Sequence, residues 1–152
     1  MFTISLTFNV IAQTDLDCLS SLNNAQCSTI EDADGIFFSL PAPGGSVPSN
    51  PFCQGGGVFE NSQWISFVAA ESDLEVIITP SSCDTIGGGL TGIQAAIWEG
   101  CPENGGECVF GNGNCHDTIF SIITSTLIPG NTYSLVFDGC GGSVCTVGLD
   151  IN

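Results

Sequence analysis

The sequence predicts an all-β fold, an antiparallel β-sandwich of jelly-roll, Greek-key or immunoglobulin-like type with disulfide-pinned loops. Three observations point there. Short apolar runs alternate with polar residues at a period of two, the signature of half-buried strands. Twenty Gly and seven Pro cut the 152 residues into short segments. No stretch carries a sustained i, i+3, i+4 apolar stripe with caps, so little helix is expected.

Taken in order, Met1–Gln13 (MFTISLTFNVIAQ) is uncharged and apolar and closes on Ala12-Gln13. It resembles the core and cleavage boundary of an export signal whose basic start is missing, and it is too short to span a bilayer. The other reading is a first strand, since Phe2, Ile4, Leu6 and Phe8 alternate with polar residues. Residues 14–152 then form a single β-sandwich domain, expected to be one module of a longer secreted protein. The acidic turn 31–35 leads into Ile36-Phe37-Phe38, and residues 40–57, with four Pro and five Gly, exclude regular structure. In the next run Trp64, Ser66 and Val68 oppose Ile65, Phe67 and Ala69, and Trp64 is expected to pack between the sheets. Leu74, Val76 and Ile78 form a stripe that Pro80 is expected to end. Ile93, Ala95 and Ile97 form another, and the runs 118–124, 132–138 and 144–151 complete a set of about seven strands.

Charge narrows the chemistry. The chain has no Lys or Arg against sixteen Asp and Glu, a formal charge of −16, and His116 is its only imidazole. No guanidinium can fork onto a phosphate, and no basic patch exists for nucleic acid or an anionic membrane. Stability must come from burial, backbone pairing and covalent links. Ten Phe and two Trp among a 43% hydrophobic composition separate the chain from disordered acidic sequences.

Nine Cys (18, 27, 53, 83, 101, 108, 115, 140 and 145) without a C-x-x-C pair indicate disulfides in an oxidising, extracellular compartment. The group Cys101, Cys108, Cys115 and His116 has the spacing of no common zinc site. Two segments echo each other, WEGCPENGGEC (98–108) and FDGCGGSVC (137–145), which suggests two locally closed loops, Cys101–Cys108 and Cys140–Cys145. Leu127-Ile128-Pro129-Gly130-Asn131-Thr132-Tyr133 has the form of a tyrosine corner, in which Leu127, Gly130 and Tyr133 serve structure: the hydroxyl bonds back to upstream backbone.

The strand Trp64–Phe67 after a Pro/Gly/Asn loop, together with the segment Leu127–Gly139, resembles the cysteine-containing β-sandwich modules of secreted and surface proteins of Bacteroidetes bacteria. These are similar to pre-peptidase C-terminal domains. The resemblance covers residues 17–151 and rests on short motifs with permissive spacing. It implies an adhesive, structural or spacer role, or a carbohydrate-binding accessory of a hydrolase or peptidase, and no catalysis by the module itself.

The residues themselves are consistent with a non-enzyme. His116 stands between Cys115 and Asp117, and strand neighbours point to opposite faces, which argues against a Cys–His dyad and for a loop histidine beside a disulfide. Acidic neighbours such as Glu71, Asp73 and Glu75 or Glu99 and Glu103 read as solvated loop residues. Calcium is the one cofactor with a physical argument: Asp32 and Asp34 in a D-x-D-G turn, with Asp138 in a second Gly-rich loop, offer hard oxygens. Trp98, ending a strand beside a Cys loop, is expected to be exposed and to stack on a neutral glycan. The expected partners are therefore other protein modules or neutral glycans, without nucleic acid, anionic membrane or a transmembrane segment.

Overall fold

Among the described residues eight strands alternate with Gly-, Pro- and Cys-bearing turns, and their backbone pairing sets the architecture. A computed structural model describes residues 18, 30–42, 52–53, 58–84 and 89–152; the expected leader and most of the 40–57 loop lie outside them. The strands are β1 (Phe37–Ser39), β2 (Gln63–Val68), β3 (Leu74–Asp84), β4 (Ile93–Glu99), β5 (Glu107–His116), β6 (Phe120–Thr124), β7 (Thr132–Gly139) and β8 (Val144–Ile151), with short 3-10 turns at Ile30–Ala33, Pro102–Asn104 and Cys140–Gly142. Two four-stranded antiparallel sheets result, ordered β1-β8-β3-β6 and β2-β7-β4-β5. Eight strands in that order are the connectivity of a jelly roll. Among the described residues no helix is long and apolar enough to cross a membrane.

One core fills the space between the sheets. Ile65 and Phe67 of β2, Ile93, Ala95 and Ile97 of β4, and Tyr133, Leu135 and Phe137 of β7 meet Val76 and Ile78 of β3, Ile122 of β6, and Val147 and Leu149 of β8. Phe38 of β1 reaches across to Phe137, ring centroids 5.2 Å apart. Alternation places these residues inward because successive strand side chains face opposite ways.

The β2-β7-β4-β5 sheet is also covered on its other face. There Trp64, Ala96, Trp98 and Val136 pack with Phe52, Phe59 and the Cys18–Cys101 pair into a second apolar cluster. Trp64 is thus buried on the far side of its sheet and not between the sheets, because Phe67 and Ile65 already occupy the inner positions of β2.

Three further expectations change. Pro80 does not end β3: the strand runs on to Asp84, with Pro80 opposite Val147 of β8. The pairing of β3 with β6 stops at Ile78–Phe120, so beyond it β3 has an open side where a residue without an N–H is tolerated. Strand β5 occupies a Gly- and Asn-rich stretch that carried no strand signal. Its Gly111 is needed because a Cβ there would run into the backbone carbonyl of Phe52, which crosses over it. His116, expected in a loop, ends β5 opposite Ile93.

The disulfides are Cys18–Cys101, Cys53–Cys108, Cys83–Cys145 and Cys115–Cys140, with Cα separations of 5.6, 5.4, 4.1 and 5.8 Å. The expected local pairs Cys101–Cys108 and Cys140–Cys145 are replaced by these long-range ones. The physical reason is strand register. The β4–β5 turn is closed by backbone bonds from Gly106 and Asn104 to the Cys101 carbonyl, while Cys108 lies opposite Trp98 and meets Cys53. Cys145 belongs to the inner core beside Cys83, whereas Cys140 lies past the end of β7 and reaches Cys115 across the end of β4. Cys27 lies outside the described residues.

Candidate functional site

The sequence-derived ligand and metal candidates fall in three separate places, apart from the tyrosine corner. Trp98 ends β4 on the covered face of its sheet and is only 7% exposed. The expected exposed platform is absent at this position because Phe52, Phe59 and Trp64 lie over the same face, Phe59 edge-on to both Phe52 and Trp64 at about 5 Å. Beneath them, Ser66 and Ser134 share a hydrogen bond of 3.2 Å, and the Trp64 indole donates to the Ser62 hydroxyl. This surface is occupied by the chain's own aromatic residues.

Asp138, on the same face of β7, is fully buried. Its Oδ1 accepts the backbone N–H groups of Glu60 and Asn61, both at 2.8 Å. Asn61 completes a knot: its Oδ1 accepts the Gly139 N–H, and its Nδ2 donates to the carbonyls of Pro41 and Ser143. Asp138 Oδ2 is buried without a hydrogen-bond partner among the described residues. Burial pushes its pKa up from 3.8 to about 7; the two backbone donors oppose the rise and the charge of Glu60 adds to it.

Asp34 is engaged elsewhere, its Oδ1 accepting the Ile151 N–H at the end of β8, in the other sheet. Asp32, Asp34 and Asp138 are therefore not gathered around one point, and among the described residues they form no set of oxygens within ligating reach. The one group that does converge is Cys18, Cys101 and Glu103, but its two sulfurs are already bonded to each other. The same holds for Cys101, Cys108 and Cys115 as zinc ligands, since each has a disulfide partner. The His116 imidazole stacks on Phe120 at 4.2 Å, with its Nε2 buried and unpartnered among the described residues.

Tyr133 Oη accepts the Ile128 N–H at 2.9 Å, while the Asn131 N–H returns to the Ile128 carbonyl and the Gly130 N–H to Ala69. Gly130 takes a φ of +89°, a conformation that glycine adopts freely.

Phe37 is a surface residue that the sequence did not single out. It is 74% exposed, and its ring lies across Gly148 of β8, where a Cβ would collide with it. Ser39 and Thr146 share a hydroxyl contact of 3.4 Å on the neighbouring strand positions. The signal was present in the alternation of β1, where Phe38 turns inward and Phe37 outward.

No protein-family model matches the chain, and no curated protein matches it. Among solved structures it is similar to the pre-peptidase C-terminal domain of collagenase from Bacillus anthracis, at 8% identity and a TM-score of 0.41, covering 78% of this chain and 90% of that one. It is also similar to a Podospora anserina GH26-CBM35 beta-(1,4)-mannanase, at 12% identity and a TM-score of 0.32, covering 78% of this chain and 28% of the mannanase. The chain's own strand pairing defines it as an all-β, two-sheet sandwich with jelly-roll connectivity.

Proposed function

We propose that the chain is an extracellular, non-catalytic β-sandwich module, exported by a leader at Met1–Gln13, with an adhesive or structural role in a larger protein. The observation that carries this reading is the disulfide framework, which joins positions from 25 to 83 residues apart and clasps strands within each sheet, β3 to β8 through Cys83–Cys145 and β5 to the end of β7 through Cys115–Cys140. Such bridges persist in oxidising compartments and are rare in reducing ones. Thiol-blocked mass analysis of the native protein, with fractionation of the producing cells, tests it. Bridged cysteines in the extracellular fraction are expected; reduced thiols in a cytoplasmic pool overturn it.

A second reading, a carbohydrate-binding accessory module, is favoured by Phe37. An exposed ring beside a bed of hydroxyls suits a neutral sugar, which needs no cation to bind it. A glycan array read with the native protein and Phe37→Ala separates the two: a signal lost in the variant supports glycan binding, and silence from both leaves the protein-contact role ahead.

A further inference from the structure

Among the described residues one end of the sandwich is open. Where β2 runs out and β3 begins, a cavity of about 180 Å³ exposes the end of the inner core. Its interior is apolar, formed by Phe67, Leu74 and Leu127, with Ile30 as a side wall. Its mouth carries Glu31, Glu71 and Asp73, all exposed.

The opening is held by backbone bonds. The Leu127 N–H donates to the Ser72 carbonyl, the Gly130 N–H to Ala69, and the Ala69 N–H to Asn131, which fastens residues 69–72 to the tyrosine-corner segment. A preformed opening costs little ordering on binding.

Three carboxylates around an apolar well call for a positive partner with an aliphatic body. The chain cannot supply one, having no Lys or Arg anywhere. A metal ion fits less well. Among the described residues these three carboxylates do not converge within 4.8 Å of one another. They are spread round the mouth, which suits a head group larger than a bare ion.

We propose that this cavity receives a lysine or arginine side chain of a partner protein, its aliphatic stem on Phe67, Leu74 and Leu127 and its cationic head among Glu31, Glu71 and Asp73. Long basic side chains bury their stems in this way while the charge stays near water. The proposal rests on the protein-contact reading above and gives that partner its chemistry.

The test is a titration of 15N-labelled protein with acetyl-Gly-Lys-Gly-amide and its arginine counterpart. Two control peptides carry norleucine, which has the stem without the charge, and diaminopropionate, which has the charge on a short stem. Saturable shifts at the amides of Ala69, Ala70, Glu71 and Asp73 with the long basic peptides alone are expected. Combining Glu71→Gln with Asp73→Asn should weaken binding by about tenfold or more, while Glu107→Gln, on β5, should leave it unchanged. Equal shifts from either control, shifts spread over the whole acidic surface, or tight capture of calcium at the same amides overturns the proposal. None of these outcomes bears on export or on bridged cysteines, so the module reading is judged separately.

Discussion

Asp138 spends one oxygen on two backbone N–H groups and leaves the other buried, in a chain with no basic side chain to neutralise it beyond His116. Its folded pKa of about 7 lies above the ordinary 3.8, so between those values the folded state holds a proton that the unfolded chain releases. The stability contributed by that proton is complete below about pH 4 and is lost as the pH rises through about 7. The melting midpoint of the native protein should fall between pH 5 and pH 8 by more than that of Asp138→Asn; parallel declines would refute the assignment. A second residue-scale test is Tyr133→Phe, which leaves the Ile128 N–H without its acceptor. A loss of about 1–3 kcal/mol in denaturant unfolding is expected, toward the lower end because the group is partly exposed.

At the scale of elements, the strands whose alternation is strict were readable from the chain. β2, β3, β4, β7 and β8 each set an inner apolar row at every second position, and the period of two survives in the sequence. β5 was not readable, because Gly111 answers to the Phe52 backbone above it and to no rule of strand propensity. The bridges were unreadable for a related reason: Cys101 and Cys108 are close in sequence, yet register turns Cys108 toward Cys53. Trp98 failed as a surface residue because the Phe52–Phe59 cover arises from a loop without periodicity. The tyrosine corner, by contrast, is a local motif, and its hydroxyl bond spans only five residues. Unreduced Glu-C peptides should show 100–103 joined to the peptide ending at Glu31, and 32–60 and 76–99 each joined to 108–152. A Cys101–Cys108 pair would join 100–103 to 108–152, and a Cys140–Cys145 pair would leave 76–99 without its Cys145 link. Replacing Cys83 and Cys145 together by Ser should cost about 2–5 kcal/mol, read as a shift in the denaturant midpoint.

For the molecule as a whole, a formal charge of −16 without Lys or Arg means that repulsion is opposed only by burial, pairing and bridges. Added salt should stabilise it. The Debye length shrinks from about 30 Å at 0.01 M to about 3 Å at 1 M, so the melting midpoint should climb as sodium chloride is raised through that range. A flat response would mean that the carboxylates lie too far apart to repel. Composition made this legible at once, since it needs no knowledge of the fold. The open end of the sandwich was not legible, because Glu31 and Glu71 come together only when the 3-10 turn at Ile30–Ala33 packs beside the end of β2.

The disulfides also decide how the chain would carry a load. Tension entering at Cys18 crosses directly to Cys101. From there it divides, one branch running forward to Cys115 and over to Cys140, the other back to Cys83 and over to Cys145, before both reach Asn152. Strands β1, β2, β6 and β7 lie off both branches. Pulling therefore cannot draw these strands out while the bridges hold, and the chain behaves as a short strap whose slack is released only by a reductant.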